Sequence, residues 1–456
     1  MAHPLPLSGG VRNLTVAAIA FVFAAASVAR AQDAPRLSLD DAIRLGLANN
    51  RSVANAALQE DKAANDVATA RSRRLPQFQI EMQASQLLAP INLTFPRGSF
   101  GTIEGLGPIP STDAVVTTPA QLSLITSLQV SQPLTPLFKL NLNVKLTEAN
   151  EARAHEQLRD TQIALVSEIR RVYYDIVQTQ SAFDANERSI DLLNELNRLV
   201  TARLVQQVAL KSDALATESK LARAEVSRTD LRHTIETRQE QLNQLMGRDV
   251  RTPFAVAAMP DAIVPVVTIE AAQERALEMR PDVKQARLAL QQAELSRRVA
   301  RTDYIPDVSV AATYLTPMNI NGAPDHIASA ALQLKWEPFD WGRKSRAIAS
   351  KDLEVRQAQN ALHDAEDRAA LDVSAKVRAV ETARARLKAA RVAGDAAHES
   401  ARISLMQYGA HATLFADVLQ TQSSAADADS QIQQALAAFW AAQADLDRAM
   451  AEGMES

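Results

Sequence analysis

Residues 137–246 contain neither glycine nor proline. Nothing else in the chain restricts its fold so tightly, because those two residues are the main breakers of regular structure. Ala, Gln, Glu, Arg and Leu dominate the run, and all are strong helix formers. One heptad row reads Leu158, Leu165, Val172, Thr179, Asn186, Leu193, Val200. The row four residues on reads Gln162, Ile169, Ile176, Phe183, Ile190, Asn197, Leu204. Most of both rows is apolar, which is the seam of a coiled coil. A single helix over 138–204 would be about 100 Å long at roughly 1.5 Å per residue. That length exceeds ordinary globular helices, so a long helical barrel or a fibre is expected. After Pro338 the same composition returns, interrupted only by Gly342, Gly394, Gly409 and Gly453.

Four short stretches break this pattern by alternating apolar and polar residues, which predicts strands with one apolar and one polar face. Phe78, Ile80, Met82 and Ala84 alternate with Gln77, Gln79, Glu81 and Gln83. Leu122, Leu124, Leu128 and Val130 alternate mainly with Ser123, Ser127, Gln129 and Ser131. Val308, Val310, Ala312 and Tyr314 alternate with Asp307, Ser309, Ala311 and Thr313, and Leu332, Leu334 and Trp336 with Gln333 and Lys335. The first pair flanks a Gly/Pro-rich loop of about 35 residues, the second a shorter one.

The chain is an internal repeat. "LSLDDAIRLGLANNRSV" from Leu37 aligns with "VTIEAAQERALEMRPDV" from Val267, and "ARSRRLPQFQI" from Ala70 with "ARTDYIPDVSV" from Ala300, at one common offset. "KSDALAT" from Lys211 matches "FADVLQT" from Phe415. Ser38 and Thr268 are N-cap candidates, each before an acidic first turn. The first repeat is expected over 32–262 and the second over 263–456. Each reads helix, strand, loop, strand, very long helix, turn, helix.

Composition excludes several function classes. The net charge of −4 does not suggest nucleic acid as a partner. The seven histidines are scattered without ligand spacing, and there is no cysteine for disulfides, thiolate metal sites, thiol nucleophiles or N-terminal lipidation. No Ser/His/Asp set or phosphate loop accompanies them, and Asp40-Asp41 is explained by the dipole of the helix it opens. Neither an enzyme nor a cofactor is expected. Arg12, the apolar run Val16–Ala29 and the small residues of Ala29-Arg30-Ala31 predict a secretory signal over 1–31. The run is too short to span a bilayer.

Two-faced strand pairs leave bare edges that a small isolated sheet cannot tolerate. Closing a barrel across several copies removes the edges. An apolar outside around a polar inside is the pattern of an outer-membrane barrel. The alternative is a small soluble sheet capping a periplasmic coiled-coil scaffold with no pore.

These residues resemble the TolC-like outer membrane efflux protein family. The resemblance covers the chain after the signal. It rests on the duplicated "LDDAIRLGLANN" and "IEAAQERALEMRPDV" openings and on the Leu75-Pro76 and Ile305-Pro306 junctions. It rests also on "SQPL" (131–134), "WEPFDWGRK" (336–344) and the late "DVLQTQSSAADADSQIQQALAAFWAA". The resemblance implies an α+β membrane protein: a homotrimer forming one 12-stranded outer-membrane β-barrel, four strands per chain, continued by a long periplasmic α-helical barrel. Two helical tracks would be single helices near 138–204 and 344–408. The others would be stacked pairs, about 40–74 with 213–246 and 270–304 with 414–451. The family implies a passive exit duct in outer-membrane lipid, docked to a periplasmic adaptor and an inner-membrane pump of RND or ABC type. The cargo would be small toxic compounds or drugs, or alternatively protein in type I secretion.

The resemblance also places functional positions at the two helix–turn–helix tips, Leu204–Asp213 and Tyr408–Asp417. The adaptor-docking positions are Gln206, Gln207, Val208, Ala209 and Leu210, and Gly409, Ala410, His411, Ala412 and Leu414. Where relatives often carry a Val-Gly-Leu-like cluster, Gln206-Gln207-Val208 has no glycine. Asp417 matches an aperture carboxylate, tripled by symmetry into a ring that would attract cations; the bland alternative is a first-turn acid of its helix. Gln420 stands where some relatives have a second acid. Tyr408 is either a packed tip aromatic or a latch whose hydroxyl bonds Asp213. Thr413 replaces a basic link, so a looser latch is expected, and His411 reads as a solvated turn residue.

Overall fold

The computed structural model describes residues 36–207, 210–257, 265, 267–320, 324–410 and 412–452. The expected signal (1–31), the repeat boundary at 262/263, and the tip residues Val208, Ala209 and His411 lie outside the described residues.

The chain begins with β1 (Arg36–Leu37), α1 (Leu39–Asn49), α2 (Arg51–Ser72) and β2 (Gln77–Gln86). Four short strands follow: β3 (Ile91–Phe95), β4 (Thr102–Ile103), β5 (Gly107–Pro108) and β6 (Ala114–Thr118). Then come β7 (Leu122–Pro133), α3 (Pro136–Val205), α4 (Lys211–Leu245) and β8 (Ala255–Val256). The second half holds α5 (Ile269–Met279), α6 (Pro281–Thr302), β9 (Asp307–Met318), β10 (Ile327–Lys335), α7 (Arg343–Gly409) and α8 (Phe415–Ala449).

The glycine- and proline-free run forms the 70-residue α3, and α7 has 67 residues. The seam residues of α3 are its core: Leu165, Ile169, Val172, Ile176, Ile190, Leu193 and Val200 are all buried. Two of the polar members, Thr179 and Asn186, are satisfied. Thr179 donates to the Asp175 carbonyl at 2.7 Å, and Asn186 Nδ2 donates to the Ala224 carbonyl of α4 at 2.9 Å. α3 packs against α1, α2, α4, α6 and α8, while α7 packs against α5, α6 and α8.

The expected tracks over 40–74 and 270–304 are each broken once. Asn50 leaves the helix with an extended backbone and caps α2, its Oδ1 accepting from the Ser52 amide at 2.8 Å. Arg280 is likewise extended, though without a side-chain cap bond, before Pro281, which opens α6 because it needs no amide partner there. Ser38 and Thr268 cap α1 and α5, accepting from the amides of Asp41 at 3.1 Å and Ala271 at 3.4 Å. The caps therefore repeat at the spacing of the sequence alignment.

β10, β9, β7 and β2 form one four-stranded antiparallel sheet in that order. Its register sets Phe78 against Val130, Val130 against Ala312 and Ala312 against Ala330. Gln79, Gln129, Thr313 and Ser329 occupy the next row on the opposite face. All four alternations thus agree on one apolar and one polar face. Phe78, Ile80 and Met82 are 74, 74 and 67% exposed, so none of the described residues covers the apolar face of β2.

The 35-residue segment read as a loop is instead a folded hairpin. β3 pairs with β6 and β4 with β5, and Phe95 packs on Phe100 with ring centroids 5.3 Å apart. Ile91, Leu93 and Phe95 alternate with Asn92 and Thr94, a strand signal that the surrounding glycines and prolines obscured.

Candidate functional site: the helix tips and the polar knots behind them

Both long helices end in the same turn. The C-caps Gln206 and Ala410 have φ/ψ of −79/0° and −84/5°. The N-caps Leu210 and Leu414 have −84/146° and −81/153°. The amides of Asp213 and Asp417 each bond back to those leucine carbonyls at 3.1 Å. One turn on, Thr217 and Thr421 donate to the carbonyls of Asp213 and Asp417 at 2.8 and 3.0 Å. Chain reversal is therefore built twice from one local design.

The two tips differ in what holds the acid. The Asp417 carboxylate accepts from the Thr413 hydroxyl at 2.8 Å and from the Leu414 amide at 3.3 Å. It satisfies an N-terminal amide that the helix itself leaves unpaired. The first-turn role weighed for Asp417 is thus present in the fold. Thr413, which stands where the resemblance places a basic link, bonds Asp417. Asp213 is half-buried in the first turn of α4, and Tyr408 is half-buried in the last turn of α7. Gln420 is exposed, and its carbonyl accepts from the Ser424 hydroxyl at 3.0 Å.

Gln207 has φ of 59°, in the left-handed region that glycine would favour. At this position, where a glycine is missing from Gln206-Gln207-Val208, Gln207 bears the strain. Ala412 closes the second tip, its amide donating to the Gln407 carbonyl at 2.8 Å. Val205, Leu210 and Leu414 are 81, 68 and 71% exposed. The sequence reading passed over Val205, whose heptad position is outside both apolar rows. Below the tips Leu193, Leu196 and Leu419 form a small cluster joined by Leu221, which ties α3, α4 and α8 together.

Further along the helices lie polar knots that no motif announced. Arg280 forks onto Asp282 at 2.8 and 3.0 Å, and reaches Asp372 of α7 at 2.8 Å and the Ala449 carbonyl of α8 at 3.4 Å. Burial pulls the Arg280 pKa down, but its bonds to Asp282 and Asp372 outweigh that and raise it. Burial likewise pushes Asp282 up, and the Arg280 bond more than reverses it. Asp160 faces the same knot and is raised, first by burial and then by repulsion from Asp282. Arg170 meets Asp447 at 2.9 Å. Burial raises Asp447 despite bonds from Gln443 and Arg170, and pushes the neighbouring Tyr174 up to about 12.

A family model described as outer membrane efflux protein matches residues 42–248 and 272–452. The chain belongs to the outer membrane efflux protein family. The two matched segments lie on either side of the repeat boundary expected at 262/263. Solved structures agree in fold. The outer-membrane channel OprN is 17% identical with a TM-score of 0.75, over 91% of this chain and 90% of that one. VceC, an outer membrane protein of Vibrio cholerae, is 14% identical with a TM-score of 0.73, over 91% and 97%. The open-state MtrE outer membrane channel of Neisseria gonorrhoeae is 17% identical with a TM-score of 0.73, over 92% and 90%. Among curated protein sequences none matches the chain. Outer-membrane efflux is therefore the coarse function. No described helix is long and apolar enough to cross a membrane.

Proposed function

We propose that this chain is the outer-membrane exit duct of a tripartite export system, passing small toxic compounds or drugs outward as a passive channel. The two-faced sheet running directly into 70- and 67-residue helices carries this reading. A sheet apolar on one face and polar on the other suits a lipid-facing, water-filled barrel. Helices of about 100 Å suit a periplasmic tunnel. Three copies supply twelve strands and twelve helical tracks.

The tips are the docking surface for a periplasmic adaptor, which in turn meets an inner-membrane pump of RND or ABC type. Exposed Val205, Leu210 and Leu414 support this, since apolar side chains at a tip gain from a protein cover. Asp417 lines the aperture as one of three symmetry-related carboxylates, and Tyr408 latches to Asp213 in the resting state. Planar-bilayer conductance of the purified mature protein tests the assignment. The expected result is a small cation-selective conductance that rises, or loses divalent block, in Asp417→Ala. A correctly inserted trimer whose selectivity is unchanged by that substitution would remove Asp417 from the aperture. A protein that never inserts would sink the duct.

A further inference from the structure

β2 and β10 are the two outer strands of the sheet, so each leaves one edge of backbone groups unpaired among the described residues. Each neighbouring pair in the sheet is antiparallel, so β10 runs opposite to β2. A β10 laid beside the β2 of another copy therefore continues the same alternation.

We infer that β2 of one copy pairs with β10 of the next in one register, setting Phe78 opposite Trp336, Ile80 opposite Leu334, and Glu81 opposite Gln333. This rests on the trimeric duct reading and specifies how its copies join. Three observations favour it. The first is face matching: even-numbered residues of both strands lie on the apolar face, and only even shifts of register keep them together. The second is side-chain complementarity. Trp336 and Phe78, 57 and 74% exposed in one chain, become a cross-strand aromatic pair. On the polar face Lys335 stands diagonal to Glu81, about 7–8 Å away and within reach of long side chains. Shifting by two in one direction puts Trp336 opposite Pro76 instead. Shifting by two in the other leaves Phe78 opposite Pro338.

The third is barrel geometry. Glu81 is level with Ser127, Leu315 and Ile327 across the chain. The inferred register then carries Ile327 to the level of Leu87 in the next copy, six residues above Glu81. Six residues at about 3.3 Å against four strand spacings at about 4.8 Å give a tilt of about 46°. Membrane-spanning strands tilt by about 45°.

The chain has no cysteine, which makes the test direct. Two double variants of the full chain, Glu81→Cys/Gln333→Cys and Ile80→Cys/Leu334→Cys, are oxidised in outer-membrane vesicles and run on non-reducing gels. Both are needed because adjacent antiparallel pairs alternate between about 5.5 and 4.5 Å in Cα separation, and disulfides are selective for geometry. Controls shifted by two residues are Gln79→Cys/Gln333→Cys and Gln83→Cys/Gln333→Cys. At least one in-register variant is expected to give covalent multimers at more than ten times the control yield. Cross-linking in a shifted control instead overturns the register. No cross-linking in any variant, with an intact three-copy assembly by native mass, overturns the inferred register and leaves the duct standing. Copies that neither assemble nor insert overturn both.

Discussion

Asn50 and Arg280 occupy the same place in the two repeats, and each grips the end of the helix returning from its tip. Asn50 Nδ2 donates to the Leu245 carbonyl at 2.8 Å, and Arg280 Nη1 to the Ala449 carbonyl at 3.4 Å. Leu245 and Ala449 are the last residues of the 35-residue helices α4 and α8. One geometric task is met by a neutral amide in one repeat and by a guanidinium with two carboxylate partners in the other.

That difference predicts unequal salt dependence. Arg280→Ala should destabilise the detergent-solubilised protein by about 1–2 kcal/mol, discounted because Asp282 and Asp372 are 48 and 41% exposed. Asn50→Ala should cost about 1 kcal/mol through the lost cap. Thermal unfolding at two ionic strengths checks this: the Arg280→Ala loss should shrink at high salt, and the Asn50→Ala loss should not.

Asp160→Asn should stabilise the protein at neutral pH. Its pKa is raised in the fold, so the ionised form is disfavoured there and Asp160 opposes folding above its folded pKa. Below the unfolded value near 3.8 the acid is protonated in both states and the penalty vanishes. Melting temperatures of the two proteins should differ at pH 7 and converge at about pH 3. Equal shifts at both pH values would mean that packing, not charge, is responsible.

Asp282→Asn should behave in the opposite sense. The lowered pKa of Asp282 contributes stability above its unfolded value, and that contribution is lost as pH falls through the folded value. The variant should be weaker than the parent at pH 7, and the gap should close on acidification.

Gln207→Gly should raise stability by about 0.5–1 kcal/mol. The left-handed backbone costs a non-glycine residue roughly 1–2 kcal/mol, and glycine gives back part of that gain through its freer unfolded chain. A melting temperature lowered by the change would show that the Gln207 side chain makes a contact worth more than the strain.

Thr413→Val should loosen the second tip alone. Losing the hydroxyl that donates to Asp417 at 2.8 Å should speed amide exchange around Leu414 about 3- to 10-fold, equivalent to about 1 kcal/mol. Exchange around Leu210 should be unchanged.

The sequence by itself determined the helices, the strands and their duplication. Those features are local: a run without Gly or Pro has no reason to break, and a strict alternation has no stable helical face. It also placed the tips, because Asp213 and Asp417 sit at matched points of the repeat and a long helix must end before an acidic first turn. Tertiary structure decided the rest. The break at Asn50 depends on the Leu245 carbonyl nearly two hundred residues away. The knot of Arg280, Asp282, Asp372 and the Ala449 carbonyl unites three separate parts of the chain. Asn186 looked like a flaw in a coiled-coil seam until the Ala224 carbonyl met it. The hairpin over 91–118 was hidden because short strands between turn residues gain their stability from each other. Periodicity records which face of an element is buried. It does not record which distant carbonyl or carboxylate lies opposite, and that is what fixes charge, kink and strain.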